Sequence, residues 1–293
     1  MPFAAIDGQK IYYLDTGGDG PAVVFSHGNL MDADMWERQI DALPKSVRRI
    51  AWDARLHGRT SDDSRTSDDS RTSGDSDAPD QDRASDDSRV PTYWRSAEDL
   101  LALLDLLDVP RAVLVGHSQG GFVSLRAALL APERVAGLVL VDTAADPWPP
   151  EALEQMGGIR DGMRDAGPEA VAPELLPFLL GDAPALHEEW SNRWRAQPRE
   201  RLADAVAMLM AVDGVRDRLA EITAPALVVH GTADGPVPVA AGLALHAALP
   251  NTIAEPVLIP GAAHTPPLTH PDAVTAAVDR VVEHVLVSAA EPS

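Results

Sequence analysis

The pentapeptide at residues 116–120, GHSQG, holds a single hydroxyl group, that of Ser118, between two glycines. The apolar run at 112–115 predicts a buried strand before it, and the residues after it predict an amphipathic helix. A strand-to-helix turn this short strains its middle residue and therefore requires very small flanking residues. It lifts the Ser118 hydroxyl above the sheet, next to a helix N-terminus that favours negative charge. The pattern predicts a nucleophilic serine, and the alternative is a glycine-rich turn without chemistry.

Other residues supply the groups that such a serine needs. A serine hydroxyl is a poor nucleophile unless a base takes its proton and a third group orients that base. Asp234 and His264 each lie in a loop just after a predicted buried strand, and the chain order serine, acid, histidine is the one expected on a doubly wound sheet. We therefore predict a catalytic triad of Ser118, Asp234 and His264. Asp142, which follows the preceding predicted strand, is an alternative acid.

Catalysis by such a serine also needs donors for the negative oxygen that develops during attack. An early apolar strand at 22–26 runs into a loop that carries Gly28 and Asn29. Backbone N–H groups from such a loop and from the residue after the nucleophile together form an oxyanion hole. We assign this role to the N–H groups of Asn29 and Gln119, each of which would stabilise the transition state by about 3 kcal/mol.

Composition limits the class of protein. The chain has 293 residues, 45% of them hydrophobic, which is enough for one large α/β domain or two small ones. It has no cysteine, which excludes disulfides, a thiolate nucleophile and cysteine-based metal sites. The net charge of −21 argues against a nucleic-acid partner. Neither a signal peptide nor an apolar run of about 18 residues is evident. We expect a cytoplasmic protein with no membrane partner, and its oligomeric state is left open.

Predicted strands and helices alternate along most of the chain, which indicates an α/β fold with a doubly wound, mostly parallel sheet. An amphipathic helix is predicted at 31–43, and a leucine-rich helix at 96–108 with three outward-facing aspartates, Asp99, Asp105 and Asp108.

One segment departs from this pattern. Residues 61–89 repeat the six letters SDDSRT with decay, and contain ten aspartates, four arginines and no large apolar residue. Such a segment buries too little surface to offset the entropy of ordering, so we predict that it is disordered. Since it connects a predicted strand to a helix at the sheet end that carries Ser118, one hypothesis is that it disfavours anionic substrates. The alternative is a repeat expansion with no role.

Residues 147–217 are helical in pattern, with proline and glycine breaks and no buried-strand run. This predicts a helical cap over the active site, inserted between a first core part, 1–146, and a second, 218–293. An apolar pocket is expected under it. The candidates for its substrate-contacting lining are Trp148, Met156, Trp190, Trp194 and Met208. Arginines that are eligible to bind a substrate carboxylate are Arg160, Arg164, Arg193 and Arg195.

Together these motifs resemble the α/β-hydrolase superfamily over nearly the whole chain. Further matching segments are 26–29 (SHGN), 35–36 (MW), 53–60 (DARLHGRT), 132–135 (PERV) and 230–234 (HGTAD). Within the superfamily the chain looks most like small-molecule serine esterases and the 3-oxoadipate enol-lactonase group. It departs from the family pattern at Leu56, where a glycine is usual, and at His270, where an acidic residue is frequent.

The resemblance implies a serine hydrolase that cleaves an ester or lactone of a small molecule through an acyl-enzyme, with no cofactor and no metal. No histidine spacing resembles a zinc motif. Two alternatives use the same three residues: a cofactor-free perhydrolase or haloperoxidase, and a carbon–carbon bond hydrolase. A further alternative, from another class, is a non-catalytic ligand receptor on the same fold.

Overall fold

The computed structural model describes residues 2–62 and 91–290. Within them, nine strands form one sheet: β1 Phe3–Ile6, β2 Gln9–Asp15, β3 Ala22–Ser26, β4 Arg48–Trp52, β5 Ser61–Asp62, β6 Ala112–His117, β7 Val135–Val141, β8 Ala226–Gly231 and β9 Val257–Ile259. The α-helices of the same residues are α1 Glu37–Ala42, α2 Tyr93–Leu106, α3 Gln119–Leu130, α4 Pro150–Asp165, α5 Pro168–Leu180, α6 Pro184–Arg195, α7 Arg199–Met210, α8 Val239–Ala248, α9 Pro266–Thr269 and α10 Pro271–Ala290.

The sheet is mostly parallel. Its strand order is β1-β2-β4-β3-β6-β7-β8-β9, with β5 beside β2. The pairs from β4 to β9 are parallel, and the pairs that involve β2 are antiparallel. The predicted α/β fold with a doubly wound, mostly parallel sheet is confirmed.

Side chains that alternate along the central strands build two separate core layers. Val23 and Phe25 of β3 contribute to the layer that contains Val278 of α10, whereas Val24 contributes to the layer that contains Leu100 of α2. Since successive strand residues point to opposite faces, a strand covered on both sides must be apolar at every position. This is why the central strands occur in the sequence as uninterrupted apolar runs.

The first helix is shorter than predicted. A 3₁₀ turn at Ala33–Trp36 precedes α1, so the prediction of one helix at 31–43 is wrong at its start. The Asp32 side chain accepts a hydrogen bond from the Asp34 N–H at 3.0 Å and caps the 3₁₀ turn. Aspartate at this position satisfies a helix-start donor, which sets the boundary after Met31.

Asp99 of α2 does not face outward as predicted. Its side chain is buried and forms a two-pronged ion pair with the Arg55 guanidinium, at 2.5 and 2.8 Å. Periodicity placed Asp99 with the polar residues of the helix, but the loop that carries Arg55 covers that part of its surface. A paired guanidinium makes a buried carboxylate tolerable.

The predicted disordered segment 61–89 lies almost entirely outside the described residues. Its first two residues form β5, which pairs with Gln9 and Lys10 of β2, so the prediction of disorder is wrong for them. The prediction for residues 63–89, and the hypothesis that they disfavour anionic substrates, concern residues outside the described ranges.

Four helices, α4 to α7, lie between β7 and β8, and the described residues at 147–217 contain no strand. We refer to α4–α7 as the helical insert. The division of the chain into core and cap domains at 146 and 217 stays a prediction.

The helical insert is attached to the loop after β3. The Arg193 guanidinium contacts the Asp32 carboxylate at 3.1 Å and the Asp34 carboxylate at 2.9 Å. The indole N–H of Trp194 donates to the Leu30 carbonyl at 2.7 Å. These contacts hold α6 beside the loop that carries Asn29.

None of the helices in the described part of the chain has the length and apolar character that crossing a bilayer requires.

Helix α3 approaches β3 so closely that only glycine fits at its start. A Cβ atom on Gly120 would lie 2.1 Å from the Ser26 carbonyl oxygen, a backbone atom that cannot move aside. At Gly158, on the exposed side of α4, a Cβ would meet nothing within 4 Å.

We expect Gly120→Ala to lower the free energy of unfolding by about 3 kcal/mol or more, because the methyl group forces α3 away from the sheet. Gly158→Ala is the matched control and should raise it by about 0.5–1 kcal/mol, since alanine favours a helix interior. Urea unfolding of both variants measures the difference. Equal stability of the two variants would contradict the close approach of α3 to β3.

Candidate active site

Ser118 occupies a strained turn between β6 and α3. Its φ of 51° and ψ of −116° lie where non-glycine residues are rare. Its N–H donates to the Val141 carbonyl at 2.9 Å, and its carbonyl accepts the Thr143 hydroxyl proton at 2.8 Å. A Cβ on Gly116 would lie 2.3 Å from the Gly120 carbonyl oxygen. The small flanking residues thus have the steric reason that the sequence pattern indicated.

Three side chains meet above the ends of β6, β8 and β9. His264 Nδ1 lies 2.9 Å from Asp234 Oδ2, and His264 Nε2 lies 3.0 Å from Ser118 Oγ. All three residues are buried. With the carboxylate accepting from Nδ1–H, the lone pair on Nε2 faces the serine hydroxyl. This arrangement allows the imidazole to take the hydroxyl proton and the carboxylate to stabilise the resulting charge.

Asp234 is held as a carboxylate. Burial by itself raises the pKa of Asp234, but the nearby His264, His230 and Asp142 outweigh burial, and the pKa lies well below its usual range. The second oxygen, Oδ1, accepts the Val237 N–H at 2.9 Å. Both oxygens therefore have a donor, and the side chain has one favoured orientation.

Asp142, the alternative acid, does not bond to the imidazole. Its Oδ1 accepts the Gly231 N–H at 2.8 Å, while His264 Nδ1 contacts Asp234. Asp142, Asp234 and His264 are the one group among the described residues with metal-ligand spacing, their ligand atoms lying within 4.8 Å of one another. The ring nitrogen and one Asp234 oxygen of this group are already engaged with each other.

The two predicted oxyanion donors come from different elements, α3 and the loop after β3. Gln119 is the first residue of α3, so its N–H has no acceptor within its own helix. Asn29 lies in the loop after β3 and lines the same cavity as Ser118 and His264. The Gln119 side chain accepts from the Tyr93 hydroxyl at 3.1 Å, which orients it away from Ser118.

A buried imidazole, His57, contacts the side chains of both predicted oxyanion residues. Its Nε2 lies 3.0 Å from Asn29 Oδ1 and 3.3 Å from Gln119 Nε2, and its Nδ1 donates to the Arg55 carbonyl at 2.7 Å. Burial lowers the pKa of His57 well below its ordinary value, so the ring is neutral. Leu56 beside it has a φ of 66°, the conformation that the family's usual glycine adopts most easily.

A cavity of about 530 Å³ opens onto Ser118 and His264. One wall is the loop 235–238 with α8, and the other is the helical insert. On α4 the lining residues follow the period of one helix face. They are Glu151, Ala152, Gln155, Met156 and Ile159. Further apolar lining comes from Trp148, Leu175, Phe178, Leu179, Val206 and Leu209.

Two of the five predicted substrate-contacting side chains line this cavity, namely Trp148 and Met156. The other three, Trp190, Trp194 and Met208, do not line it, and the prediction is corrected for them. Trp190 and Trp194 are buried in the core layer that contains Val278 of α10, and the Trp194 indole donates to a carbonyl of the loop after β3. Met208 packs into the opposite core layer.

Sequence reasoning missed the aliphatic part of the lining, such as Ile159, Leu175 and Val206. The prediction rested on large aromatic and methionine side chains, and three of the five, Trp190, Trp194 and Met208, are buried in the core layers instead. The residues 152, 155, 156 and 159 recur at helical spacing, so their shared face was a signal in the sequence.

None of the four candidate arginines lines the cavity. Arg160 and Arg164 contact Asp161, Arg193 contacts the loop after β3, and Arg195 contacts Ser191. Their guanidinium groups are thus directed to partners outside the cavity.

Comparison with known proteins agrees with this architecture. Residues 21–271 match the family model described as alpha/beta hydrolase fold. The chain belongs to the α/β-hydrolase family.

Three proteins illustrate the range of activities named among the relatives of this α/β hydrolase. It is 32% identical to a non-heme chloroperoxidase of Streptomyces lividans, over 80% of this chain and 82% of that protein. It is 26% identical to 3-oxoadipate enol-lactonase 2 of Acinetobacter baylyi, over 90% of each. A thermophilic esterase from Thermogutta terrifontis superposes with a TM-score of 0.79 at 28% identity, over 97% of each chain. This α/β hydrolase is accordingly an enzyme related to esterases and enol-lactonases.

A second buried histidine, His117, contacts the backbone of His264. The His117 Nε2–H donates to the His264 carbonyl at 2.6 Å. Burial, aided by the neighbouring His264 ring, lowers the pKa of His117 to about 3. In the unfolded chain, this group titrates near pH 6.5.

We expect His117→Gln to reduce the pH dependence of stability in mildly acidic solution. Between about pH 3 and about pH 6.5 the unfolded chain binds a proton that the folded chain does not, so stability rises with pH across this window and levels off above it. Glutamine keeps an N–H for the His264 carbonyl but does not titrate. Urea unfolding across the window should show a slope lower by up to about 1.4 kcal/mol per pH unit. Parallel curves for the two proteins would contradict a neutral buried His117.

Proposed function

We propose that this α/β hydrolase cleaves a carboxylic ester or lactone of a small molecule through an acyl-enzyme on Ser118. The observation that carries the proposal is the unbroken line of contacts from Ser118 Oγ through His264 to Asp234 at the floor of an apolar cavity. A hydroxyl, an imidazole and a carboxylate in this order are the groups that catalyse acyl transfer in serine hydrolases.

In the first half-reaction, His264 Nε2 takes the Ser118 proton as Oγ attacks the substrate carbonyl carbon. The carbonyl oxygen becomes negative, and the N–H groups of Asn29 and Gln119 donate to it. Asp234 stabilises the positive imidazolium. His264 then gives its proton to the alcohol oxygen as the carbon–oxygen bond breaks. In a lactone this alcohol remains attached to the acyl group.

In the second half-reaction, water takes the place of the alcohol. His264 removes a proton from the water as its oxygen attacks the acyl carbon, and returns that proton to Ser118 Oγ when the carboxylic acid leaves. The two steps consume one water and regenerate the starting serine. Residues Ser118, His264, Asp234, Asn29 and Gln119 therefore suffice for hydrolysis.

The cavity favours uncharged substrates. No lysine or arginine is among its lining residues in the described part of the chain, whereas two carboxylates, those of Asp146 and Glu151, are. Asp146 is paired with Arg216 at 2.8 Å. A substrate carboxylate placed here would lose water without gaining a cation, which is costly.

We expect Ser118→Ala to lower kcat for a p-nitrophenyl ester by about a millionfold, because the members of a triad act as a unit. A fluorophosphonate probe should label the unchanged protein at residue 118 and leave the variant unlabelled. Ser124→Ala is the matched control. Ser124 is a buried serine on the same helix, whose hydroxyl donates to the Gly120 carbonyl at 2.8 Å, and this variant should keep its activity and its label.

A Ser118→Ala variant that kept a tenth of the activity would exclude Ser118 as the nucleophile. Labelling of Ser118 without turnover of any member of a broad ester and lactone panel would instead favour the ligand-receptor alternative.

The charge of the acyl group should decide substrate choice. We expect the p-nitrophenyl ester of 4-methylpentanoic acid to exceed the isosteric hemisuccinate ester in kcat/KM by about a hundredfold or more, since only the latter brings an unpaired carboxylate into the cavity. Glu151→Gln removes one acid from the cavity wall. It should narrow the ratio of the two kcat/KM values by raising kcat/KM for the charged ester alone. Equal rates for the two esters in the unchanged protein would refute an uncharged substrate class.

A second candidate function is perhydrolysis, favoured by the 32% identity to a non-heme chloroperoxidase. In that reaction hydrogen peroxide takes the place of water at the acyl-enzyme and a peracid leaves. Addition of peroxide to the ester assay, with detection of the peracid, compares the two acceptors directly.

A further inference from the structure

A second buried carboxyl group lies beside the predicted triad acid. Asp142 follows β7 and Asp234 follows β8, and these strands are neighbours in the sheet. Both side chains have 0% exposure to solvent. Ligand oxygens of the two residues lie within the same 4.8 Å group as His264. Two carboxylates this close in a buried site repel each other strongly, so they favour a state in which one carries a proton.

The hydrogen-bond partners of the two acids differ. Asp234 accepts the Val237 N–H on Oδ1 and the His264 Nδ1–H on Oδ2. Asp142 accepts the Gly231 N–H on Oδ1, and within the described ranges its buried Oδ2 has no donor. A carboxylate oxygen buried without a donor is unfavourable, whereas a protonated oxygen can itself donate to a neighbouring acceptor.

The surrounding charges agree with this assignment. His230 of β8 faces both acids, its Nε2 lying 3.8 Å from Asp142 Oδ1 and 3.4 Å from Asp234 Oδ2, and it donates to the Val237 carbonyl at 2.8 Å. His264 faces Asp234 from the loop after β9. No ion pair joins Asp142 to an arginine or lysine of the described residues. Burial, followed by the contact with Asp234, raises the pKa of Asp142 well above its usual range.

The backbone at Asp142 is also strained. Its φ of 47° lies in the left-handed region, although its N–H still donates to the Val229 carbonyl at 3.0 Å as a continuation of the sheet. Strained residues of this kind persist where the surroundings fix them, and they cluster at functional sites. Here the carboxyl group accepts the Gly231 N–H of β8 and lies in the same 4.8 Å group as Asp234.

We propose that Asp142 is a positioning residue in its neutral, protonated form, whose Oδ2–H donates to the Asp234 carboxylate and thereby fixes Asp234 toward His264. The proposal rests on the proposed triad function. The donated hydrogen bond orients the carboxylate and spreads its charge, which moderates its attraction for the protonated imidazole.

The test compares Asp142→Asn with Asp142→Ala in the full chain, by the pH profile of kcat/KM for an uncharged p-nitrophenyl ester. Asparagine keeps an N–H donor for Asp234 and an acceptor for the Gly231 N–H. The acid limb of the pH profile of this variant should therefore stay in place, and its kcat/KM should remain within about threefold of the unchanged protein. Alanine removes the donor. Its acid limb should move to higher pH, and its rate should fall about tenfold, the loss expected for one hydrogen bond to a charged group.

Two outcomes would overturn the proposal. If Asp142 were ionised, Asp142→Asn would remove a negative charge near the imidazole and move the acid limb to lower pH. If Asp142 acted only through Gly231, Asp142→Ala would lose stability with an unmoved acid limb. Asp105→Asn, at an exposed acid of α2, is the control for the loss of a charge far from the site.

Infrared difference spectra provide a readout that needs neither turnover nor the alanine variant. The unchanged protein should show the carbonyl band of a buried, protonated carboxylic acid at neutral pH, and the band should be missing from Asp142→Asn. Absence of this difference would refute the neutral Asp142. If the protein hydrolysed no ester but showed the band, the proposed function would fail while the protonation of Asp142 stood.

Discussion

The close approach of α3 to the backbone of β3 is the contact on which the rest of the site depends. Gly120 has no Cβ that would collide with the Ser26 carbonyl, and the helix can therefore start immediately after β6. Ser118 must then turn through a positive φ, which holds its hydroxyl above the sheet. His264 and Asp234 can reach this hydroxyl because parallel strands present their carboxyl ends at one edge. A larger residue at 120 would displace the helix and with it the serine.

Exclusion of water governs the electrostatics of the same region. Asp234 is compensated by donors on both oxygens, whereas burial keeps His117 and His57 neutral. The cavity that opens onto Ser118 and His264 has largely aliphatic walls, which carry acids but no cation among the described residues. Apart from the wall acids Asp146 and Glu151, charge in this region is carried by Asp234, whose two oxygens accept hydrogen bonds at 2.9 Å. This contrast between a polar floor and apolar walls is what the proposed ester chemistry would use.

Much of this arrangement could be predicted because it depends on strand ends. Uninterrupted apolar runs located the strands. Ser118 directly follows β6, and Asp234 and His264 lie in the loops that follow β8 and β9. Choosing between Asp142 and Asp234 was harder, because both residues follow buried strands and have the same side chain. Their carboxyl groups have different partners because the local backbone differs: Asp142 accepts the Gly231 N–H, not the His264 Nδ1–H. Asp99 shows the same limit: helical period placed it outside, and only the position of Arg55 explains its burial.

The sequence by itself determined the doubly wound sheet, the order of the reactive residues along it and the family to which the chain belongs. These features are local, since each depends on a strand, its neighbouring turn and a short spacing. Only the tertiary structure decided which apolar faces of the helical insert line the cavity and which fill its interior. Trp190 and Trp194 are buried in a core layer, while Ile159 and Leu175 line the cavity. Periodicity identifies an apolar face, but a face that meets another helix and one that meets a cavity have the same composition.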